Sequence, residues 1–191
     1  MNTDLILSNI CKYISLNNEE KNHFLSLLEE EHIVRNKFIL RQGELCNHIN
    51  FVNEGILRAY YLNPDGKEAT VMFAVKDWWI TDMYCFLNGL PAMVNIQVVE
   101  SCEILKLSKE NLDKLYDHIP QFNKFFRILM QNAYCREQLR IIQNLSLPAI
   151  DRYDQFVQKY PQIANKITLK QTATYLGITP EFLSSIRGKK D

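Results

Sequence analysis

The hydrophobic pattern changes period twice along this chain, and that change restricts the fold more than any other feature. Residues 4–31 read as two short helices. Leu5, Ile6, Ile10 and Ile14 recur at helical spacing, and Phe24, Leu25, Leu27 and Leu28 follow an acidic turn at Glu19 and Glu20. Acidic side chains there favour the positive end of the helix dipole. From His32 to Leu107 the pattern becomes short β-branched and aromatic runs at residues 38–40, 49–52, 56–62, 69–75, 96–99 and 104–107. Gly43 and Gly55 punctuate two connections. Asn63-Pro64-Asp65-Gly66 is a turn in which proline presets φ and glycine supplies the left-handed position, so its flanking runs form a hairpin. Several short strands at this spacing predict a small sandwich or barrel.

Helical spacing returns after Leu107. Asn111 to Tyr116 reads as a short helix, and from Pro120 to about Asn144 there is no further proline and no glycine. Phe122, Phe125, Phe126, Leu129, Met130 and Ala133 line one side, and Cys135, Leu139 and Ile142 continue the apolar surface. A surface that wide packs on the strand region with one edge and on another body with the other. A helix wholly buried within one subunit fits the periodicity equally well. A further helix starts near Pro148, carries Tyr153, Phe156, Val157 and Tyr160 on one face, and stops at Pro161.

Composition enters through charge. Across 191 residues, 22 Lys and Arg balance 22 Asp and Glu, which excludes a uniformly basic nucleic-acid coat. The balance is uneven along the chain. Residues 1–139 hold 14 basic and 18 acidic side chains, whereas residues 140–191 hold 8 basic and 4 acidic. No apolar run approaches the roughly 18 residues of a membrane span, and the first residues carry neither a basic region nor a small-residue cleavage site, so a cytoplasmic protein without membrane contact is expected. Five scattered cysteines (Cys11, Cys46, Cys85, Cys102, Cys135) and four scattered histidines (His23, His32, His48, His118) predict no disulfide framework and no metal site. No cofactor is expected, although a haem held by one His or Cys leaves no spacing signature.

The most informative stretch is Ile167 to Gly188. Thr168 can cap a helix whose inward positions are Leu169, Thr172, Ala173 and Leu176, and Gly177 permits the sharp turn that follows. Thr179 is a second N-cap, and Pro180 suits the first helical position because its missing N–H has no partner there. The second helix is read with Phe182, Leu183 and Ile186 inward and Glu181, Ser184, Ser185 and Arg187 outward, Lys189 and Lys190 lying just beyond. Small Ala173 lets the helices cross closely, and Ile178 plugs the angle between them. Such a helix-turn-helix can place its second helix in the major groove of double-stranded DNA. A plain two-helix corner would use the same cap, proline and glycine.

Over nearly its whole length the chain resembles Crp/Fnr-type transcription regulators. Leu176-Gly177-Ile178-Thr179-Pro180-Glu181-Phe182-Leu183-Ser184 is similar to the family's recognition-helix pattern. Residues 42–44, 53–55, Arg58 and Asp65-Gly66 resemble its β-roll turns, and residues 59–61 and 78–80 resemble a compact branch with a short C-terminus. The resemblance implies an α+β protein with a jelly-roll-like sensor domain over residues 1–119. A dimerisation helix over residues 120–144 and a helix-turn-helix domain over residues 145–191 would follow. It further implies that Thr168, Thr179, Pro180 and Glu181, with Ser184, Ser185, Arg187 and Lys189, form the DNA interface, and that a second copy of the chain is a partner.

Departures from that family carry information too. Nucleotide-binding relatives hold the cyclic phosphate with an arginine in the stretch that here spans residues 79–95. No Arg or Lys lies between Lys76 and Lys106, which argues against cyclic AMP. Asp82 could replace the acidic ribose contact. The pocket is expected to be lined by Trp79, Met83, Tyr84 and Met93, with Thr81, Asp82 and Asn95, and would suit an uncharged or apolar effector; a filled core is the equal alternative. Ser185 stands where relatives present an arginine, and the chain ends three residues after Gly188, so no wing is expected. A sensor or interaction protein whose helix-turn-helix no longer binds DNA is the alternative function. A cupin-like barrel enzyme would need clustered His and Glu ligands on its strands, which are absent, so no catalytic residue is expected.

Overall fold

Two short helices open the chain, α1 (Asp4–Cys11) and α2 (Asn18–Ser26); the computed structural model describes residues 2–188. Asn17 caps α2 through a reciprocal box: its side chain accepts from the Glu20 N–H at 2.9 Å, and Glu20 accepts from the Asn17 N–H at 2.8 Å. Helical spacing extends to residue 31, yet α2 ends at Ser26 and Leu28–Ile33 form the first strand, β1. β1 pairs antiparallel with residues 102–107, Leu28 opposite Leu107, and this ladder outweighs the local helical pattern.

The other strands are β2 (Phe38–Leu40), β3 (His48–Leu62), β4 (Glu68–Ala74), β5 (Trp78–Ile80) and β6 (Asn95–Ser108), with helix α3 (Met83–Asn88) between the last two. All pairing is antiparallel in the order β1-β6-β3-β4, with β2 added to β6 and β5 to β3. β3 and β6 run side by side. β1 and β5 flank one half of that pair, β2 and β4 flank the other, and the sheet curls into a roll.

Two pairs of expected strands are therefore single strands, 49–52 with 56–62 and 96–99 with 104–107. Gly55 is a bulge inside β3 and not a connection. Its φ is +94°, the register shifts on both sides of it, and a Cβ would lie 2.5 Å from the Ser101 carbonyl oxygen. Glycine alone lets β3 bend there while staying on β6.

After β6 come α4 (Lys109–His118), α5 (Gln121–Ser146), α6 (Ala149–Lys159), the single turn α7 (Pro161–Ala164), α8 (Leu169–Leu176) and α9 (Pro180–Arg187). Pro161 both ends α6 and opens α7, at a position where no N–H is required.

Two cores hold these layers. The first fills the roll and seats α1, α2, α4 and the start of α5. Phe24 stacks on Phe122 at 5.0 Å, and Trp79 meets Phe125 and Phe126 edge-on at 6.0 and 5.7 Å. A second core lies where Ile56, Phe73, Val75 and Val99 of the strand region meet Phe156, Tyr160, Ile163, Ala173, Leu176 and Leu183. The larger aliphatic and phenylalanine side chains among them contribute about 1.5–3 kcal/mol of burial each, so the C-terminal helices are seated on the roll and not strung beyond it.

Along α5, Phe122, Phe125 and Phe126 are buried, but Tyr134, Leu139, Ile141, Ile142 and Leu145 are exposed, Leu145 by 84%. The possibility of a helix wholly buried within one chain is thereby excluded. No helix among the described residues is long and apolar enough to cross a membrane.

Candidate nucleic-acid interface and ligand cavity

The α8–α9 pair is built from local hydrogen bonds. Thr168 accepts from the Gln171 N–H at 3.1 Å while Gln171 accepts from the Thr168 N–H at 2.9 Å. Gly177 is left-handed at φ +67°, and the Ile178 N–H returns to the Ala173 carbonyl at 3.0 Å. Thr179 caps α9 by accepting from the Phe182 N–H at 3.2 Å, with Pro180 at the first helical position. Arg152 of α6 donates to the Leu176 carbonyl and so satisfies the C-terminal end of α8.

Leu183 belongs to the second core and Ile186, three residues on, is also buried, so the two mark the inward side of α9. Glu181, Ser184, Ser185 and Arg187 are exposed, as are Thr168 and Thr179 at the two caps; Pro180 is half-buried. Phe182 reverses the sequence expectation. It is 52% exposed and lies outside the second core, whereas Leu183 and Ile186 are the buried residues of α9. Lys189 and Lys190 lie outside the described residues.

A buried cation ties α8 to the roll. Arg58 of β3 is 2% exposed, pairs with Glu68 at 2.7 Å, and donates to Thr70 at 2.8 Å and to Thr174 of α8 at 3.1 Å. Lys170 of α8 also reaches Glu68, at 2.8 Å, and Lys166 pairs with Glu100 at 2.8 Å. Burial pushes the Glu68 carboxyl up, but Lys170 and Arg58 outweigh it and hold it below its ordinary value. Arg140 of α5 donates to the Thr70 and Val71 carbonyls and lies 4.6 Å from the Tyr175 ring centre. Lys166 and Lys170 are thus paired at the surface with carboxylates of the roll, and Arg140 with Glu137, so part of the basic excess of residues 140–191 is balanced by neighbouring acids.

A cavity of about 450 Å³ opens between the roll, α1 and α5. Trp79, Thr81, Asp82 and Met83 line it, as expected from the sequence, together with Met72, Trp78, Val94, Leu129 and Met130. Tyr84 and Met93 do not: they are 59% and 49% exposed, Tyr84 on the outer side of α3 and Met93 in the loop that follows it. Asn95 is buried and accepts from the Gln42 N–H at 3.1 Å, which ties the loop after β2 to the start of β6, and it does not line the cavity.

Asp82 is not free to bind a ribose. One carboxylate oxygen accepts from the Cys85 N–H at 3.3 Å and caps α3, and the other accepts from the Met93 and Val94 N–H groups at 2.8 and 3.2 Å.

Local sequence also gives an incomplete picture of charge. Lys12, just after α1, and Arg136 of α5 line the cavity although no cation lies between Lys76 and Lys106. Both are occupied: Lys12 pairs with Asp77 at 2.7 Å, and Arg136 pairs with Glu137 at 3.3 Å while lying 4.9 Å from the Trp78 ring centre. Asn9 links Trp79, whose indole donates to it at 3.1 Å, to Asp77 at 2.8 Å. The polar atoms are thus largely satisfied by the protein, and the cavity presents mainly aromatic, thioether and aliphatic surface.

Burial pushes the Cys46 and Cys85 thiols up and that of Cys102 up to about 12, so these cysteines serve as packing groups. Among the described residues no three His, Cys, Asp or Glu side chains come together as a metal site.

With this geometry in place, residues 30–118 match the family described as Cyclic nucleotide-binding domain. Over 100 residues the chain is 29% identical to Potassium channel GORK of Arabidopsis thaliana, which covers 51% of this chain; the chain spans only 12% of the channel's length. It is 21% identical over 204 residues to the Anaerobic regulatory protein of Haemophilus influenzae, covering 97% of this chain and 76% of that protein. A solved structure of a transcriptional regulator of the crp/fnr family from Eubacterium rectale superposes with a TM-score of 0.74 at 19% identity, over 91% of this chain and 83% of that one. The shared feature at such identity is the fold, an antiparallel roll followed by C-terminal helices.

Proposed function

We propose that this protein is a homodimeric, DNA-binding transcription regulator whose roll senses a small molecule, with no catalytic role. The observation that carries the reading is the α8–α9 pair: two capped helices in which Leu183 and Ile186 are buried while Glu181, Phe182, Ser184, Ser185 and Arg187 are exposed. That arrangement leaves one helix face free for the major groove. The likeness to a crp/fnr regulator and to the Anaerobic regulatory protein supports it.

In this reading residues 1–119 sense, residues 120–144 pair across a two-fold axis and residues 145–191 bind DNA. Leu139, Ile142 and Leu145 supply the exposed apolar stripe of α5 for self-association. Two α9 helices then face successive major grooves about 34–36 Å apart.

The cavity takes an uncharged or apolar effector. A cyclic phosphate needs an unpaired cation, and the two cations at the cavity already hold Asp77 and Glu137. Ligand and DNA communicate through α5, since Arg136 borders the cavity and Arg140, one turn on, binds β4 beside α8. An effector shifts this coupling only as far as it prefers one arrangement over the other.

Gel-shift titration of the full chain with duplex DNA at rising salt is the test; a salt-sensitive complex is expected, and no binding at low salt overturns the reading. Ser185, together with the internal pairing of Lys166 and Lys170, favours a second reading, a sensor protein whose helix pair does not bind DNA. Replacing Arg187 and Lys189 with alanine separates the two: weaker binding to every duplex supports the DNA interface.

A further inference from the structure

The outer face of α9 poses a question of specificity. Arginine bonded to guanine is the commonest base contact, and α9 presents Ser185 at its centre, with Arg187 as its described cation. Arg187 lies in the last turn, at the far end of the helix from Glu181. What remains near the start of the helix is Glu181 and the ring of Phe182.

Phe182 is held outward and not left outward by default. Thr179 and Pro180 set the entry of α9, and fully buried Leu183 with Ile186 sets its rotation, so the ring projects from the first turn at 52% exposure. Its neighbours one turn on are Ser185, which is exposed, and Ile186, which is buried, so the ring stands at the rim of the inward side with polar Ser185 and Glu181 beyond it. The small Ser185 lets the helix approach a surface closely on the same face.

In the major groove the apolar group on offer is the thymine 5-methyl, and phenylalanine is among the side chains that contact it. We propose that Phe182 is a specificity-determining residue that reads a thymine methyl in each half-site. The proposal rests on the reading of α8–α9 as a DNA interface.

Its test uses the full-length protein. Duplexes that bind are selected from a random pool, and each thymine of the selected site is then replaced singly by deoxyuridine, which lacks only the methyl. Affinities are measured by fluorescence anisotropy at fixed low salt. Wild-type protein is expected to bind about fourfold more weakly when one particular thymine per half-site loses its methyl, the loss that burial of one such group implies. Phe182→Ala is expected to bind both duplexes equally, with an unchanged circular dichroism spectrum because the ring is not part of the core. Phe182→Leu, which keeps an apolar contact, is expected to retain part of the discrimination.

Wild-type binding that ignores every methyl, or a Phe182→Ala protein that still senses the same methyl, overturns the proposal and leaves the DNA-binding reading standing. Absence of wild-type binding to any duplex overturns both.

Discussion

Asp82 shows how one carboxylate can be structural where a ligand contact is expected. It receives three backbone N–H groups, one at the start of α3 and two where the chain turns into β6, and so closes the loop over the cavity. Removing it leaves those donors unpaired in a site that is 7% exposed. Asp82→Ala is expected to lower the unfolding free energy by about 1–3 kcal/mol, the range for a lost cap and unsatisfied buried donors. Urea unfolding measures this, and an unchanged midpoint contradicts the structural role. Phe182 makes the complementary point. On a helical wheel of 100° per residue it lies about 70° from the midpoint of Leu183 and Ile186, so periodicity alone does not settle its direction.

At the scale of elements, α5 has two characters. Its first turns are held by the aromatic core around Phe24 and Trp79, while its second half carries Leu139, Ile142 and Leu145 into solvent. Ile142→Lys is expected to leave thermal stability of the isolated chain unchanged but to convert a dimer to a monomer by light scattering. A variant that stays dimeric rules out this face as the pairing surface. The contact between β4 and α8 gives a prediction in pH. Glu68 has a depressed carboxyl in the folded chain, so its pairing with Arg58 and Lys170 stabilises fully above the unfolded value and is lost as pH falls through the folded one. Wild-type protein is therefore expected to exceed Glu68→Gln in urea midpoint at neutral pH, with the gap closing on acidification below the ordinary glutamate range. A gap that is constant with pH shows that the carboxylate charge is not what holds α8.

For the whole molecule, the charge map of the sequence is redrawn by packing. Acidic side chains of the roll, Glu68 and Glu100, take up Lys170 and Lys166 from the C-terminal helices, leaving Arg187 exposed on α9. Binding to DNA should then be only moderately salt-dependent, each phosphate contact adding about 0.9 to the slope of log K against log salt. Arg187→Ala is expected to lower that slope by about 1 per half-site while leaving base preference intact; a changed preference assigns Arg187 to a base edge instead. What the sequence determined alone was whatever lies within a few residues: the capped α8–α9 pair with its left-handed Gly177, the Asn63–Gly66 turn and the change from helical to strand period. These are fixed by local backbone geometry and side-chain caps, so their signals sit side by side in the chain. Tertiary structure decided the rest: that Gly55 bends one strand and does not end it, that Arg58 meets Thr174 of α8, 116 residues away, and that Arg136 and Lys12 border the cavity. It also decided that Tyr84 and Met93 leave that cavity. Each of these depends on which surfaces the packed roll brings together, and a burial free energy summed over distant residues leaves no spacing in the sequence by which to read it.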